Sequence, residues 1–280
     1  MPKLNIAMKE FKKYISDKNR KLSIICHRGL WGPEPENSIS SIKSAIENKF
    51  HIVEVDVRRN IDGDFFLMHD ENFQRTTNIH GKITEISSSN IKEAYLKISN
   101  GGDNKLSEER IPLLKDVLRK FKGKILFDLD VKDSSDRASL VSFINSNDFH
   151  EFVDVKKPIL SIDEAKNFVD AECESKIIKM IVLNVTNQTI EEIASIIEIT
   201  KPSILEVNFD NNDIFLKILK ICNDKNIAVW VNTLNDVPNG GYTDSLALRS
   251  PDQCWGHLLN LGVSMIQTDH PRRLMKWYNH

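Results

Sequence analysis

Short apolar runs rich in isoleucine and valine alternate along the 280-residue chain with longer stretches whose apolar positions recur every three or four residues. The first pattern is that of buried parallel strands and the second that of amphipathic helices, so their alternation predicts an α/β protein. Strands are expected at Ser23–Cys26, Ile52–Val57, Ile125–Val131, Phe152–Val155, Ile177–Leu183, Ile204–Val207, Ala228–Val231 and Met265–Gln267. That makes about eight, the number that closes a (β/α)8 TIM barrel. Asp62-Gly63 signals a tight turn, with Phe65–Met68 as the returning arm of a hairpin. Helices are expected at Ile39–Lys49, Pro112–Phe121, Ser161–Val169, Ile190–Ile199 and Asp213–Lys225. Pro112 suits a first helical turn, and Thr189 before Glu191 and Glu192 is an N-terminal signal.

The expected organisation is an N-terminal helical extension over residues 1–22 and one barrel over 23–280. Arg75–Arg110 is a polar insertion after the second strand, with glycines at 81, 101 and 102 and a helix expected at Asn90–Leu96. Asn235–Gln253 reads as a long loop before the last unit. Both follow a strand, on the face where barrel active sites are built.

Composition narrows the functions on offer. A net charge of -2 supplies no general field for nucleic acid or an anionic membrane, so an anionic ligand must meet a local group of cations. The basic residues Lys12, Lys13, Lys18, Arg20 and Lys21 read as a solvated helix face. The segment Met1–Lys21 lacks an apolar h-region, and no run approaches the ~20 apolar residues of a membrane span. Cys26, Cys173, Cys222 and Cys254 form no CxxC pair, which argues against a zinc site or disulfide framework and for a reducing compartment. A soluble, cytoplasmic protein is expected.

The chemistry concentrates early. Residues two apart on a strand share a face, so Glu54 and Asp56 point one way while Val53, Val55 and Val57 point the other. Two neighbouring carboxylates repel unless a cation joins them. Asp128, Asp130 and Lys132 repeat the alternation on the next strand, which makes Asp130 a third ligand and Asp128 a deeper acid that orients a neighbour. Oxygen ligands alone favour a hard cation, Mg2+ or Ca2+. His27 and His69 end strand-like segments beside charged neighbours and together offer an acid and a base. Arg28 has the planar donors to clamp a phosphate, or equally to bridge to Glu36 or Glu54. The remaining histidines, at 51, 80, 150, 257, 270 and 280, read as structural or surface residues.

The set His27-Arg28-Gly29, Pro35-Glu36-Asn37-Ser38, Glu54-Val55-Asp56 and Asp62-Gly63 with His69-Asp70 resembles the glycerophosphodiester phosphodiesterase family. Arg75-Thr76-Thr77, Ile111-Pro112-Leu113, Trp230-Val231-Asn232, Gly262-Val263 and Thr268-Asp269-His270-Pro271 extend the resemblance. It implies a metal-dependent phosphodiesterase on a (β/α) barrel, with Glu54 and Asp56 binding the metal, His27 and His69 as the acid/base pair, and Arg28 holding phosphate. The family's third ligand is usually the glutamate of a Glu-x-Lys element, whereas this chain has Asp130-Val131-Lys132. Lys132 is expected to assist at the phosphate, and His69 is assigned to the leaving-group side.

The expected substrate is a small glycerophosphodiester or related sugar or alcohol phosphodiester. Residues Asn232–Asp244 and Trp255-Gly256 make a longer tail than usual, suggesting an uncommon headgroup such as a sugar or opine-like phosphodiester. Glu206, Asn208, Trp230 and Asn232 are pocket candidates, although core packing is the default for Trp230 and Trp255. Two alternatives share the motifs: a lyase or transferase using the same site, and a silent barrel that only binds a ligand.

Overall fold

The computed structural model describes residues 10–17, 19–185 and 187–280. The proposed extension over 1–22 therefore falls partly outside the described residues. Within it lie helix α1 (Phe11–Ser16) and the approach to strand β1 (Ser23–Cys26). Contacts divide the chain into two compact units, one holding Cys26–Val155 and the other Phe11–Ile25 with Lys156–His280.

The first unit runs α2 (Ile39–Glu47), β2 (Ile52–Arg59), β3 (Phe65–Leu67), α3 (Ser88–Glu93), β4 (Tyr95–Lys97), β5 (Leu106–Arg110), α4 (Leu114–Phe121), β6 (Leu126–Val131), α5 (Arg137–Ser146) and β7 (Val153–Val155). β2, β6 and β7 are parallel neighbours, and β3 folds back antiparallel on β2 through a turn in which Gly63 has φ +85°. The buried faces follow the sequence period. Leu114, Val117, Leu118 and Phe121 make the apolar stripe of α4, while Val55 and Leu129 are fully buried on the strand face opposite the acids.

The 75–110 insertion is more ordered than a polar loop. The helix expected at Asn90–Leu96 instead ends at Glu93, and Tyr95–Lys97 forms a strand paired with β5. Phe66, Met68, Phe73, Ile83, Ile91, Ala94, Leu96 and Ile111 form the buried cluster beneath it.

The second unit continues with β8 (Lys157–Pro158), α6 (Ile162–Ala171), β9 (Met180–Val185), α7 (Ile190–Thr200), β10 (Ile204–Phe209), α8 (Asn212–Asp224), β11 (Ala228–Asn232), α9 (Asp244–Arg249), a π-helical turn at Asp252–Gly256, α10 (His257–Asn260), β12 (Met265–Thr268) and α11 (Pro271–Tyr278). Its sheet has the order β1-β12-β11-β10-β9-β8. Thr189 caps α7 as the sequence signals, accepting from the Glu192 amide while Glu192 reaches back. Pro112 instead precedes α4, which begins at Leu114, and it is Pro271 that opens a helix, α11. On β10, Phe209 stacks on Phe215 of α8 with ring centroids 3.8 Å apart, so Leu205, Val207 and Phe209 mark the helix-facing side.

The stretch Asn235–Gln253 is not all loop, because α9 begins at Asp244. Asp244 is a buried carboxylate that accepts Oγ1 of Thr233 and of Thr268, both at 2.6 Å, and the Asp269 amide at 2.9 Å. Burial raises its pKa despite these donors.

Candidate active site

All the residues of the early motifs lie in the first unit. Register places Glu54 beside Asp128, Asp128 beside Asp154, and Asp56 beside Asp130. One face of three parallel strands thus carries two rows of carboxylates. Glu54, Asp56, Asp128 and Asp154 are buried, and Asp130 is half-buried at the C-terminal end of β6. Oxygens of Glu54, Asp56 and Asp130 all lie within 4.8 Å of one another.

Such a cluster needs compensating charge. Lys132 Nζ stands 2.6 Å from Asp56 Oδ1 and 2.8 Å from Asp130 Oδ2. Arg28 Nε lies 3.2 Å from Asp56 Oδ2, and its Nη1 donates to Glu36 at 3.2 Å. Burial alone would raise the Asp56 pKa, but Lys132, Arg28, His69 and His27 together hold it well below the carboxylate range. The same cluster raises Lys132 above its usual value against the pull of burial, and raises Arg28 likewise.

The local chain explains why those side chains converge. Arg28 and Gly29 have φ of +56° and +81°, a left-handed turn that aims the Arg28 amide at Glu54 Oε2, 2.9 Å away. A Cβ at Gly29 would stand 2.3 Å from Ser41 Oγ, so only glycine fits. In the Pro-Glu-Asn-Ser segment each polar residue has its own task. Ser38 caps α2 in a capping box with Ser41. Asn37, at φ +52°, donates Nδ2 to Asp56 Oδ2 at 2.7 Å and accepts the Asp56 amide at 2.9 Å. Glu36 lies between Arg28 and Arg75.

His69 follows β3, and its carbonyl accepts Arg58 Nε at 2.7 Å. Its Nδ1 is 2.7 Å from Asp70 Oδ1, and Arg75 grips Asp70 through Nε at 2.7 Å and Nη2 at 2.9 Å. Burial would raise Asp70, yet Arg75 and His69 bring it down to about 2. An ionised carboxylate only accepts, so Nδ1 carries the proton and Nε2 is left as the exchanging nitrogen. Burial pushes the His69 pKa below its ordinary value, with Asp56 and Asp70 partly opposing. His27 is half-buried just after β1 and acts electrostatically on the same Asp56 carboxylate.

Three carboxylates are the donor set of a hard divalent cation. Asp56 Oδ1 is buried against the Lys132 ammonium at 2.6 Å, and a carboxylate oxygen has room for a second partner. An oxygen with spare acceptor capacity in an all-oxygen set fits such an ion at Glu54, Asp56 and Asp130.

The four pocket candidates of the second unit are also placed. Glu206, Asn208, Trp230 and Asn232 share one face of β10 and β11, all buried, with Trp230 Nε1 donating to Asn232 Oδ1 at 2.8 Å. Trp255 is buried beside Trp277, with ring centroids 6.0 Å apart. The bridge from Arg28 to Glu36 is the one expected, whereas the second bridge from Glu36 to Arg75 and the roles of Asn37, Asp70 and Arg75 escape a reading of spacing, although all four residues stand inside motifs. Their signal is a polar run between Pro35 and a helix cap, and an aspartate directly after a histidine.

Comparisons with known proteins follow the same line. A glycerophosphodiester phosphodiesterase of Caldanaerobacter subterraneus is 34% identical over 113 residues, 40% of this chain and 46% of that protein. Mouse glycerophosphodiester phosphodiesterase 1 is 31% identical over 120 residues, 42% of this chain and 36% of that protein. The chain thus spans less than half the length of these curated relatives. A family described as a domain of unknown function matches residues 179–278.

Among solved structures, a glycerophosphoryl diester phosphodiesterase of Parabacteroides distasonis superposes with a TM-score of 0.77 at 20% identity, covering 96% of this chain and 90% of that one. An Oleispira antarctica phosphodiesterase in complex with the product sn-glycerol-3-phosphate gives 0.65 at 19%, covering 93% and 98%. The α/β, TIM-barrel class read from the alternation of elements is the fold these structures share. The chain has the glycerophosphodiester phosphodiesterase fold and is related in sequence, over about two-fifths of its length, to that family.

Proposed function

We propose that the chain is a divalent-metal-dependent phosphodiesterase acting on a glycerophosphodiester or related sugar or alcohol phosphodiester. The observation that carries the reading is the convergence at Asp56: two further carboxylates within 4.8 Å, two cations in contact, and two imidazoles acting on its charge. Mg2+ or Ca2+ held by Glu54, Asp56 and Asp130 would supply charge neutralisation at the phosphate. Arg28 and Lys132 add fixed positive charge for the phosphate oxygens.

His27 and His69 divide the proton transfers. One takes the proton of the attacking hydroxyl and the other gives a proton to the departing alkoxide. His69 suits the leaving-group side, because an imidazolium with a lowered pKa gives up its proton more readily, and Asp70 fixes Nε2 as the nitrogen that does so. With no helix among the described residues long and apolar enough to cross a membrane, and with scattered cysteines, we place its work in the cytoplasm.

The test is a phosphodiester panel assayed with Mg2+, Ca2+ or chelator. Hydrolysis is expected only with metal, and His27→Ala and His69→Ala should each lose about 100-fold or more. Metal-supported turnover that is indifferent to both substitutions would overturn the reading.

A further inference from the structure

In the second unit, the face of β9 to β12 opposite the helix-facing side is layered. Met180, Ile204 and Ala228 form an apolar row, and Val182, Glu206, Trp230 and Met265 the next. The last row is entirely amide. Asn184 pairs with Asn208, Asn208 stands 3.4 Å from Asn232, and Asn232 pairs with Gln267. Four consecutive parallel strands thus end in a carboxamide on one face, at the C-terminal edge where α/β folds gather ligands.

The row is oriented internally. Trp230 donates to Asn232 Oδ1 and Asn232 Nδ2 donates to Glu206 Oε1, both at 2.8 Å, while Asn208 Nδ2 donates to Asn184 Oδ1 at 2.8 Å. Lys156 Nζ lies 3.4 Å from Glu206 Oε2 and 5.7 Å from the Trp230 ring centre. One position is left over. Gln267 is 3% exposed, and its Oε1 is buried with no hydrogen-bond partner. A buried acceptor left without a donor is costlier than an apolar residue in its place. Asn184, half-exposed, marks the open end of the row.

We propose that this amide row, with Glu206, is a recognition site for a neutral polyhydroxylated alcohol, a sugar or cyclitol. A hydroxyl both donates and accepts, so neighbouring hydroxyls match the carbonyl and NH2 of neighbouring carboxamides, and one of them satisfies Gln267 Oε1. A quaternary ammonium group is disfavoured, because Lys156 already holds the cation position over Trp230. The inference rests on the phosphodiesterase reading and names the alcohol that its substrate would carry, but it is tested on the free alcohol, so that failure to bind is distinguishable from failure to turn over.

The test is titration of the full chain with myo-inositol, glucose and choline, followed by ligand-observed NMR and calorimetry with no phosphodiester present. Inositol or glucose should bind and choline should not displace it, and Asn208→Leu and Gln267→Leu should each weaken binding about tenfold or more. Gln267→Glu and Asn208→Asp, which keep shape but alter the donor pattern, serve if the leucine variants misfold, and the same weakening is expected of them. Absence of binding by both polyols, displacement by choline, or binding unchanged in the folded variants would overturn the proposal.

Discussion

A hydrogen bond from His69 Nδ1 to Asp70 leaves one imidazole nitrogen to move a proton, and it also sets how tightly that proton is held. Burial is the largest influence on His69 and lowers its pKa, Asp56 raises it, Arg28 and Lys132 lower it, and the Asp70 bond raises it. Asp70→Asn removes a raising influence, so the His69 pKa should fall further. With His69 as the acid, activity is lost as pH rises through its pKa, and the alkaline limb of kcat/KM should therefore move to lower pH. At neutral pH a loss of about tenfold or more is expected, and a pH–rate profile of the variant checks both. Glu36 and Asn37 show why such roles are hard to read from sequence. Asn37 meets Asp56 19 positions away and Glu36 meets Arg75 39 positions away, and spacing along a chain carries no information about such meetings.

The elements themselves were legible where one period dominates. The Leu114, Val117, Leu118, Phe121 stripe of α4 and the alternation of β2 and β6 each admit one reading. Helix α5 was not anticipated, because Arg137–Ser146 buries only Leu140 and Ile144 among serines and an asparagine. Over Tyr95–Lys97 the expectation of helix fails, because pairing with β5 overrides the local pattern of so short a run.

That hairpin also sets a prediction. Gly101 has φ +80°, and a Cβ there would meet the Arg75 carbonyl oxygen at 2.2 Å. Because the obstacle is backbone, Gly101→Ala must shift either the hairpin or Arg75, which holds Asp70 and Glu36. A stability loss of about 1–3 kcal/mol in urea unfolding is expected, together with reduced kcat/KM.

Across the whole chain, alternation of elements disclosed the fold class, and the early motifs picked out the acidic cluster that the fold assembles. In the second unit the reading was partial: Asn208 and Asn232 are pocket candidates in the sequence, whereas Asn184 and Gln267 stand in no motif and join them only through strand register. Charge gives a test at this scale. Three carboxylate oxygens within 4.8 Å repel one another, so a divalent ion that binds the folded state should stabilise it. Mg2+ or Ca2+ at a hundredfold excess over Kd should stabilise the folded state by about 2.7 kcal/mol and so raise the thermal midpoint. Chelator should reverse the gain, and Asp130→Asn should remove most of it in a calorimetric scan.

The Asp244 carboxylate has a consequence for how the tail tolerates change. It fastens the start of α9 to Thr233 and Thr268, while Asn239 Nδ2 holds the Leu234 carbonyl at 2.9 Å. A segment moored at both ends can change in length between its anchors without unseating the strands that flank it.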